Sequence, residues 1–283
     1  MAKRKSPDTK RDRIPKKNQV SKLNTILILS LSILLIIGCI FFYVGYAKPL
    51  GLTFKEAYKN IASPNVRYVR IDAGMRREEV AERFAKTLGW TAAEKSQFLV
   101  IHTKANNNNA EGYFFPDTYV LGPKAKPEVV STMIVDRFTQ KIVARKAKMG
   151  NDVINLDTAI KIASIIQREA GAKDARIVSG VIWNRIFQGM SLDMDATLQY
   201  AKGDEKKWWP KVVPADKYID SPFNTYKNKG LPPAAISNPG ETAIWAALNP
   251  IETKSIFYIH DSDGVIHTAR TYKEHVANID RYY

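Results

Sequence analysis

DTAIKIASIIQREAGAKDARIVSGVIWNRIFQ, residues 157–188, writes two apolar helical stripes one after the other. Ala159, Ile162, Ala163, Ile166 and Ala170 recur at the spacing that puts them on one face of a helix over 157–170, with Asp157 as its N-cap and Gly171 as its stop. Val178, Val181 and Ile182 do the same for a helix over 174–188, which Gly189 ends. Working outward, 127–146 and 241–248 read as further helices, and 271–283 as a closing one. Residues 111–121 are rich in aromatic and β-favouring types, and 255–259 with 265–269 form a hairpin across Asp261-Ser262-Asp263-Gly264. Residues 190–239 are punctuated by Pro and Gly and read as irregular. The chain mixes both element types, and the class is α+β.

A small unit occupies 65–105. Val66, Tyr68 and Arg70 alternate with Arg67, Val69 and Ile71 as in a half-buried strand, and Ala73-Gly74 makes a turn. Val80, Phe84 and Leu88 then recur at helical spacing before Gly89, and Thr91-Ala92-Ala93-Glu94 is a capping box for the next helix. About 40 residues bury too little to stand alone, so this unit is expected to pack on the domain C-terminal to it. Asn106 to Asn109 form a polar joint, 48–64 a connector, and the main domain is 106–283.

The N-terminus has a different character. Residues 1–22 hold nine basic and two acidic side chains, and Thr25 to Ala47 run for 23 residues without a charge. At 1.5 Å per residue that is roughly 34 Å of helix, against a hydrocarbon core of about 30 Å. It is longer than the apolar part of a cleaved signal peptide, so 23–47 reads as an uncleaved membrane anchor, with the basic tail cytoplasmic and everything after Lys48 outside. The tail carries no interleaved aromatics, which favours topology over nucleic-acid binding.

Composition closes several routes. The 283 residues carry a net charge of +15, with 45% hydrophobic and 10% aromatic content, enough for a real core. Cys39 is the single cysteine, so no disulfide framework or cysteine zinc site exists. The four histidines have no metal-ligand spacing, and no Gly-rich phosphate loop occurs.

Chemistry gathers at a few positions. Glu111 precedes Gly112, Tyr113, Phe114, Phe115 and Pro116; a carboxyl held beside packed rings loses hydration and becomes a weaker acid, as a general acid near neutral pH requires. An exposed loop residue is the alternative. Glu169 falls at the edge of the first apolar stripe and Arg185 within the second, so the two form an ion pair or line a polar cleft. Asp193, Asp195, Ser221, Asn224, Thr225, Tyr226 and Trp208-Trp209 offer the aromatic faces and polar groups of a sugar cleft, and equally of a long loop. Ser221 lacks the G-x-S-x-G context of a hydrolase elbow.

Glu111-Gly112-Tyr113-Phe114-Phe115-Pro116-Asp117-Thr118-Tyr119 resembles the signature of the endolytic murein transglycosylases, the MltG or YceG-like family. Further stretches resemble it in the same order: Ala163 to Glu169, Val181 to Arg185, Ser221 to Tyr226, Gly230 to Pro233, Ile236 to Gly240, Ala246 to Pro250 and Thr271 to His275. The resemblance implies a single-span anchor in the bacterial inner membrane, a LysM-like subdomain at 65–105 and an α+β catalytic domain on the extracytoplasmic side. It implies cleavage of peptidoglycan glycan strands at internal MurNAc to GlcNAc bonds to give 1,6-anhydro-MurNAc ends, setting strand length, with Glu111 as the one catalytic carboxyl. By position, Glu169, Asn184, Arg185, Asp195, Ser221, Asn224 and Tyr226 are implied to bind sugar or orient Glu111. No cofactor, metal or nucleic acid is expected; the partners are glycan strands, the lipid bilayer and the cell-wall synthases. A glycan-binding scaffold without cleavage is the alternative from another class, and a hydrolase with a second carboxylate, Asp195 or Glu169, is another.

Overall fold

In the computed structural model the described residues are 17–42, 44, 65–106, 111–149 and 153–282, and the chain divides into two units, 1–62 and 63–283. In the first, helix α1 (Lys17–Phe42) carries most of the expected anchor at 23–47; residues 45–47 lie outside the described ones. Its side chains are described from Leu27 to Phe42, roughly 24 Å of helix, and Leu35 and Phe41 stand 70% and 76% exposed. Among the described residues no helix is long and apolar enough to cross a membrane.

The second unit holds two apolar cores. The first of them gathers strand β1 (Arg67–Arg70), helix α2 (Arg77–Leu88), helix α3 (Ala92–Ala105), strand β2 (Thr118–Leu121) and helix α4 (Pro127–Phe138) around Phe84, Phe98 and Phe114, all fully buried. β1 pairs antiparallel with β2, Arg67 opposite Leu121 and Arg70 opposite Thr118. The pairing crosses the boundary placed at 105, and it is how so small a unit completes its core. α3 starts on the expected capping box: the Thr91 hydroxyl accepts from the Glu94 N–H and Glu94 accepts from the Thr91 N–H. α4 continues through a π-helical turn (Thr139–Val143) into α5 (Ala144–Met149), matching the helix expected over 127–146.

The other core is built on α6 (Leu156–Glu169) and α7 (Ala175–Phe187), which carry the two apolar stripes of residues 157–188, with α9 (Glu241–Leu248) packed on both. Ile160, Ile162, Ile165, Ile166 and Ile182 are fully buried there; each such side chain contributes about 1.5–3 kcal/mol of transfer free energy. The N-cap of α6 is Asn155, whose side chain accepts from the Asp157 N–H, and not Asp157. The helix starts early because Leu156 packs on the core, which leaves Asp157 in the first turn, paired with Lys161. Residues 190–239 are less irregular than expected: α8 (Asp195–Lys202) and a 3₁₀ turn at Pro214–Tyr218 lie within them. Strands β3 (Phe257–His260) and β4 (Ile266–Ala269) form the expected hairpin, and α10 (Tyr272–Tyr282) packs on it.

Candidate active site

The turn at Glu111 and Gly112 lies where the two cores meet. Phe114 enters the first core and Phe115 the second, as successive side chains of a non-helical segment can. The turn just before them rests on Gly112, whose φ is +93°; a Cβ there would come within 2.5 Å of Ile160 Cγ2 and 2.8 Å of the Ala235 Cβ. Consequently the rings expected to desolvate Glu111 are spent on packing: Tyr113 lies against Phe138, Phe114 against Phe98 and His102. Glu111 is nonetheless only 5% exposed.

What surrounds it comes from three distant segments. The N–H of Arg77, first residue of α2, donates to Oε1 at 3.1 Å and to Oε2 at 3.3 Å. Asn238 Nδ2 donates to Oε1 at 3.0 Å, and the Tyr200 hydroxyl reaches Oε2 at 3.4 Å. Asn238 is itself fully used. Its Oδ1 accepts from the N–H groups of Gly112 and Phe114, and its Nδ2 also donates to the Met75 carbonyl. One amide therefore sets both the reversal of the turn and the direction of the carboxyl.

Burial pushes the Glu111 carboxyl up to about 8, and the negative charge of Glu78 adds to the rise. The Arg77 N–H, at the positive end of α2, and the charges of Arg77 and Arg76 act the other way without overcoming it. At neutral pH the group is mostly protonated and ready to donate. Glu78 also lines a cavity of about 410 Å³ with Glu82, Lys95, Glu205 and Trp208. Among the described residues no group of three or more His, Cys, Asp or Glu is arranged to hold a metal ion.

A second cavity of about 490 Å³ brings together four of the sequence candidates, Glu169, Arg185, Asp195 and Tyr226, with Tyr258 and His275. Glu169 and Arg185 are not an ion pair. The Arg185 guanidinium is nearly buried on Asp193, at 2.9 Å, and on the carbonyls of Ser191, Leu192 and Ile256. Glu169 instead accepts from the Ala196 N–H at 3.0 Å and the Tyr258 hydroxyl at 3.3 Å. Each charge finds closer donors or acceptors than the other, which removes the electrostatic need to pair. Tyr226 donates to Asp195 at 2.7 Å.

The remaining candidates hold backbone. Asn184 donates to the carbonyls of Thr253 and Ser255, tying α7 to the hairpin approach. The Ser221 hydroxyl accepts from the Phe223 N–H. Buried Asn224 donates to the carbonyls of Lys217 and Ile219 and accepts from Tyr226 and Lys227. Arg76, Arg77, Tyr200 and Asn238 were not singled out from sequence. Asn238 stood only inside the Ile236 to Gly240 stretch, and Tyr200 inside a segment read as irregular.

The YceG-like family model matches residues 45–281. An endolytic murein transglycosylase of Bacillus subtilis (strain 168) is 33% identical over 174 residues, which are 61% of this chain and 48% of that protein. An endolytic murein transglycosylase of Streptococcus pneumoniae serotype 2 is 26% identical over 173 residues, 60% of this chain and 31% of that protein. The chain thus matches about half the length, or less, of these relatives. The crystal structure of a yceG-like protein from Listeria monocytogenes superposes with a TM-score of 0.65 over 80% of each chain at 24% identity, a likeness of fold.

Proposed function

The chain belongs to the YceG-like family, and on that premise we propose that it is an endolytic lytic transglycosylase of peptidoglycan, anchored in the membrane by 23–47 and working on the extracytoplasmic side. The observation that carries the reading is the state of Glu111: a buried carboxyl raised to about 8, whose Oε1 takes the shorter donor contacts, 3.1 and 3.0 Å, against 3.3 and 3.4 Å at Oε2. An acid so held keeps its proton on Oε2 at neutral pH and presents it in one direction.

The reaction then needs one carboxyl. Glu111 Oε2 gives its proton to the glycosidic oxygen as the bond from MurNAc C1 breaks and oxocarbenium character develops. The resulting carboxylate takes the proton of the sugar's own C6 hydroxyl as that oxygen closes on C1. The products are a 1,6-anhydro-MurNAc end and a strand with a free GlcNAc 4-hydroxyl, with the acid restored and no water consumed. Ordinary glycosidases need a second carboxylate for a nucleophile or a water base; here the internal hydroxyl replaces both.

Arg185, Asp195 and Tyr226 are assigned to sugar binding through the 490 Å³ cavity, and Glu169, on the same wall, to orienting Glu111 through α8, whose Ala196 N–H donates to it. Asn184, Ser221 and Asn224 support it through the backbone they hold. The 65–105 unit is assigned the LysM-like role of gripping glycan beyond the cut. An anchored enzyme of this kind beside the synthases trims nascent strands and sets their length.

The test is mass spectrometry of products from peptidoglycan incubated with the full chain in detergent, beside its Glu111→Gln form. Anhydro-MurNAc ends from the wild type alone are expected. Reducing ends would mean a hydrolase, and no products from either form, with glycan binding retained, would mean a scaffold.

A further inference from the structure

The hydroxyl of Tyr200 stands 3.4 Å from Oε2, the oxygen of Glu111 with the longer donor contacts and the one assigned the proton, and Tyr200 is itself clamped. The Arg76 guanidinium lies over the Tyr200 ring at 4.1 Å and over Trp208 at 4.9 Å. Its Nη1 donates to the carbonyls of Tyr200 and Gly203, at 3.2 and 3.4 Å, and Glu78 sits 3.5 Å from its Nε. Arg76 is 7% exposed and is the N-cap residue of α2, one position before the N–H that holds Glu111. Thus a single arginine joins the end of α8 to the helix terminus that receives the acid. A planar guanidinium stacked on one ring while bonding that residue's carbonyl fixes both the ring and its backbone, which an ammonium cannot do.

Resting on the transglycosylase reading, we propose that Tyr200 is a further catalytic residue, which donates its hydroxyl proton in a hydrogen bond to Glu111 Oε2 once that oxygen has given its own proton away, and that Arg76 is the positioning residue that holds it there. In the first half of the reaction Oε2–H is delivered to the glycosidic oxygen. Between the two halves the carboxylate is stabilised by three donors, the Arg77 N–H, Asn238 Nδ2 and the Tyr200 O–H. In the second half Oε2 recovers a proton from the C6 hydroxyl and Tyr200 is left unchanged, so the balance closes. Burial and the neighbouring charge of Glu111 push the Tyr200 phenol well above its usual range, so it remains a donor throughout. The charged groups facing the pair are Glu78, Arg76 and Arg77 from the start of α2, and Tyr200 itself from α8.

The test compares the full chain with Tyr200→Phe, Arg76→Lys and Glu111→Gln. The Glu111 carboxyl is followed by ¹³C NMR titration, its signal identified by its loss in Glu111→Gln, alongside the pH profile of anhydro-MurNAc release. Removing a donor to the ionised form weakens the acid. Tyr200→Phe is therefore expected to move the carboxyl midpoint and the alkaline limb up by about half a pH unit and to slow release about tenfold. Arg76→Lys keeps the charge and loses the stack, and is expected to move both in the same direction by less. A midpoint unmoved by Tyr200→Phe overturns the proposal whatever the rate does, since a purely structural tyrosine would lower the rate alone. Wild-type activity in Glu111→Gln would instead sink the transglycosylase reading, while the titration still decides whether Tyr200 bonds the carboxylate.

Discussion

Glu111 and Glu169 are held by the same device and put to different uses. Each accepts from the first N–H groups of a helix, Arg77 at α2 for the one and Ala196 at α8 for the other, and each meets a tyrosine hydroxyl, Tyr200 or Tyr258. Burial weakens both as acids. The difference lies in what else touches them. Glu111 has Asn238 on one oxygen and two arginines with Glu78 around it, whereas Glu169 stands on the wall of a 490 Å³ cavity beside Asp195. A helix terminus and a tyrosine therefore make a carboxyl into an anchor; the added amide on Oε1 is what the proposed mechanism uses to leave the proton on the other oxygen. Glu169 moors the start of α8, and the far end of α8 delivers Tyr200 to Glu111.

The largest effect that can break this contrast is Glu111→Gln. Loss of a positioned general acid is expected to slow product release about 10³-fold. The same change is expected to stabilise the protein. Glu111 titrates near 8 when folded against an ordinary 4.5, so between those pH values the folded chain retains a proton that the unfolded chain has released. Stability is then lost as pH rises through that window. Glutamine, which has no charge to bury, should be more stable than the wild type by about 4 kcal/mol at pH 8 and nearly equal to it around pH 4.5. Thermal melts across that range check it, and a uniform loss at all pH values would mean that Glu111 is a packing residue.

Asn238→Ala sharpens the comparison from the other side. It removes what Glu111 has and Glu169 lacks, and leaves the N–H groups of Gly112 and Phe114 without their acceptor. A fall of about 10²-fold in kcat, with KM little changed, is expected. Stability should drop by about 1–3 kcal/mol for the unsatisfied donors. An effect on KM alone would place Asn238 among the sugar-binding groups.

Why Asn238 escaped the sequence while Glu111 did not is a matter of range. Glu111 drew attention through the aromatic run directly after it, although those rings pack elsewhere and its burial comes from other segments; the helices at 156–169 and 175–187 were legible in their periodicity, because that signal lies within one element. Asn238 acts on Met75, Glu111, Gly112 and Phe114, between 124 and 163 residues away, and nothing in its own neighbourhood encodes that. Tyr200 was hidden differently. The eight residues of α8 offer only Ala196, Thr197 and Leu198 as buried positions, too few for a periodic signal among prolines and glycines. The supposed pairing of Glu169 with Arg185 failed for the same reason, since the carbonyls and the Asp193 carboxylate that satisfy Arg185 come from irregular backbone.

His102 gives a smaller effect with the opposite sign. It is fully buried in the first core, stacked on Phe114 at 3.9 Å, with its nitrogens at 3.2 Å from the Ser131 hydroxyl and the Tyr113 carbonyl. Burial lowers it to about 4 from the ordinary 6.5. As pH falls below 6.5 the unfolded chain takes up a proton that the folded chain refuses, so stability decreases, by about 2 kcal/mol at pH 5. Because Glu111 contributes an opposing slope over part of this range, urea unfolding should be measured in the Glu111→Gln background. A flat profile there would mean that His102 is protonated in the folded state.

The smallest effect decides what Glu169 does. If it only moors α8, its task is to accept from Ala196, and a neutral amide oxygen does that as well as a carboxylate. Glu169→Gln should then keep release within about threefold of the wild type, while Glu169→Ala, which leaves the Ala196 N–H unpaired, should lose about tenfold. Neither should move the alkaline limb set by Glu111. This ordering, amide tolerated and alanine not, is the reverse of what Glu111 demands, where the amide alone abolishes the proton. If Glu169→Gln fell as far as Glu111→Gln, both carboxyls would be chemical, and the mechanism would be that of a two-carboxylate glycosidase with reducing ends among its products.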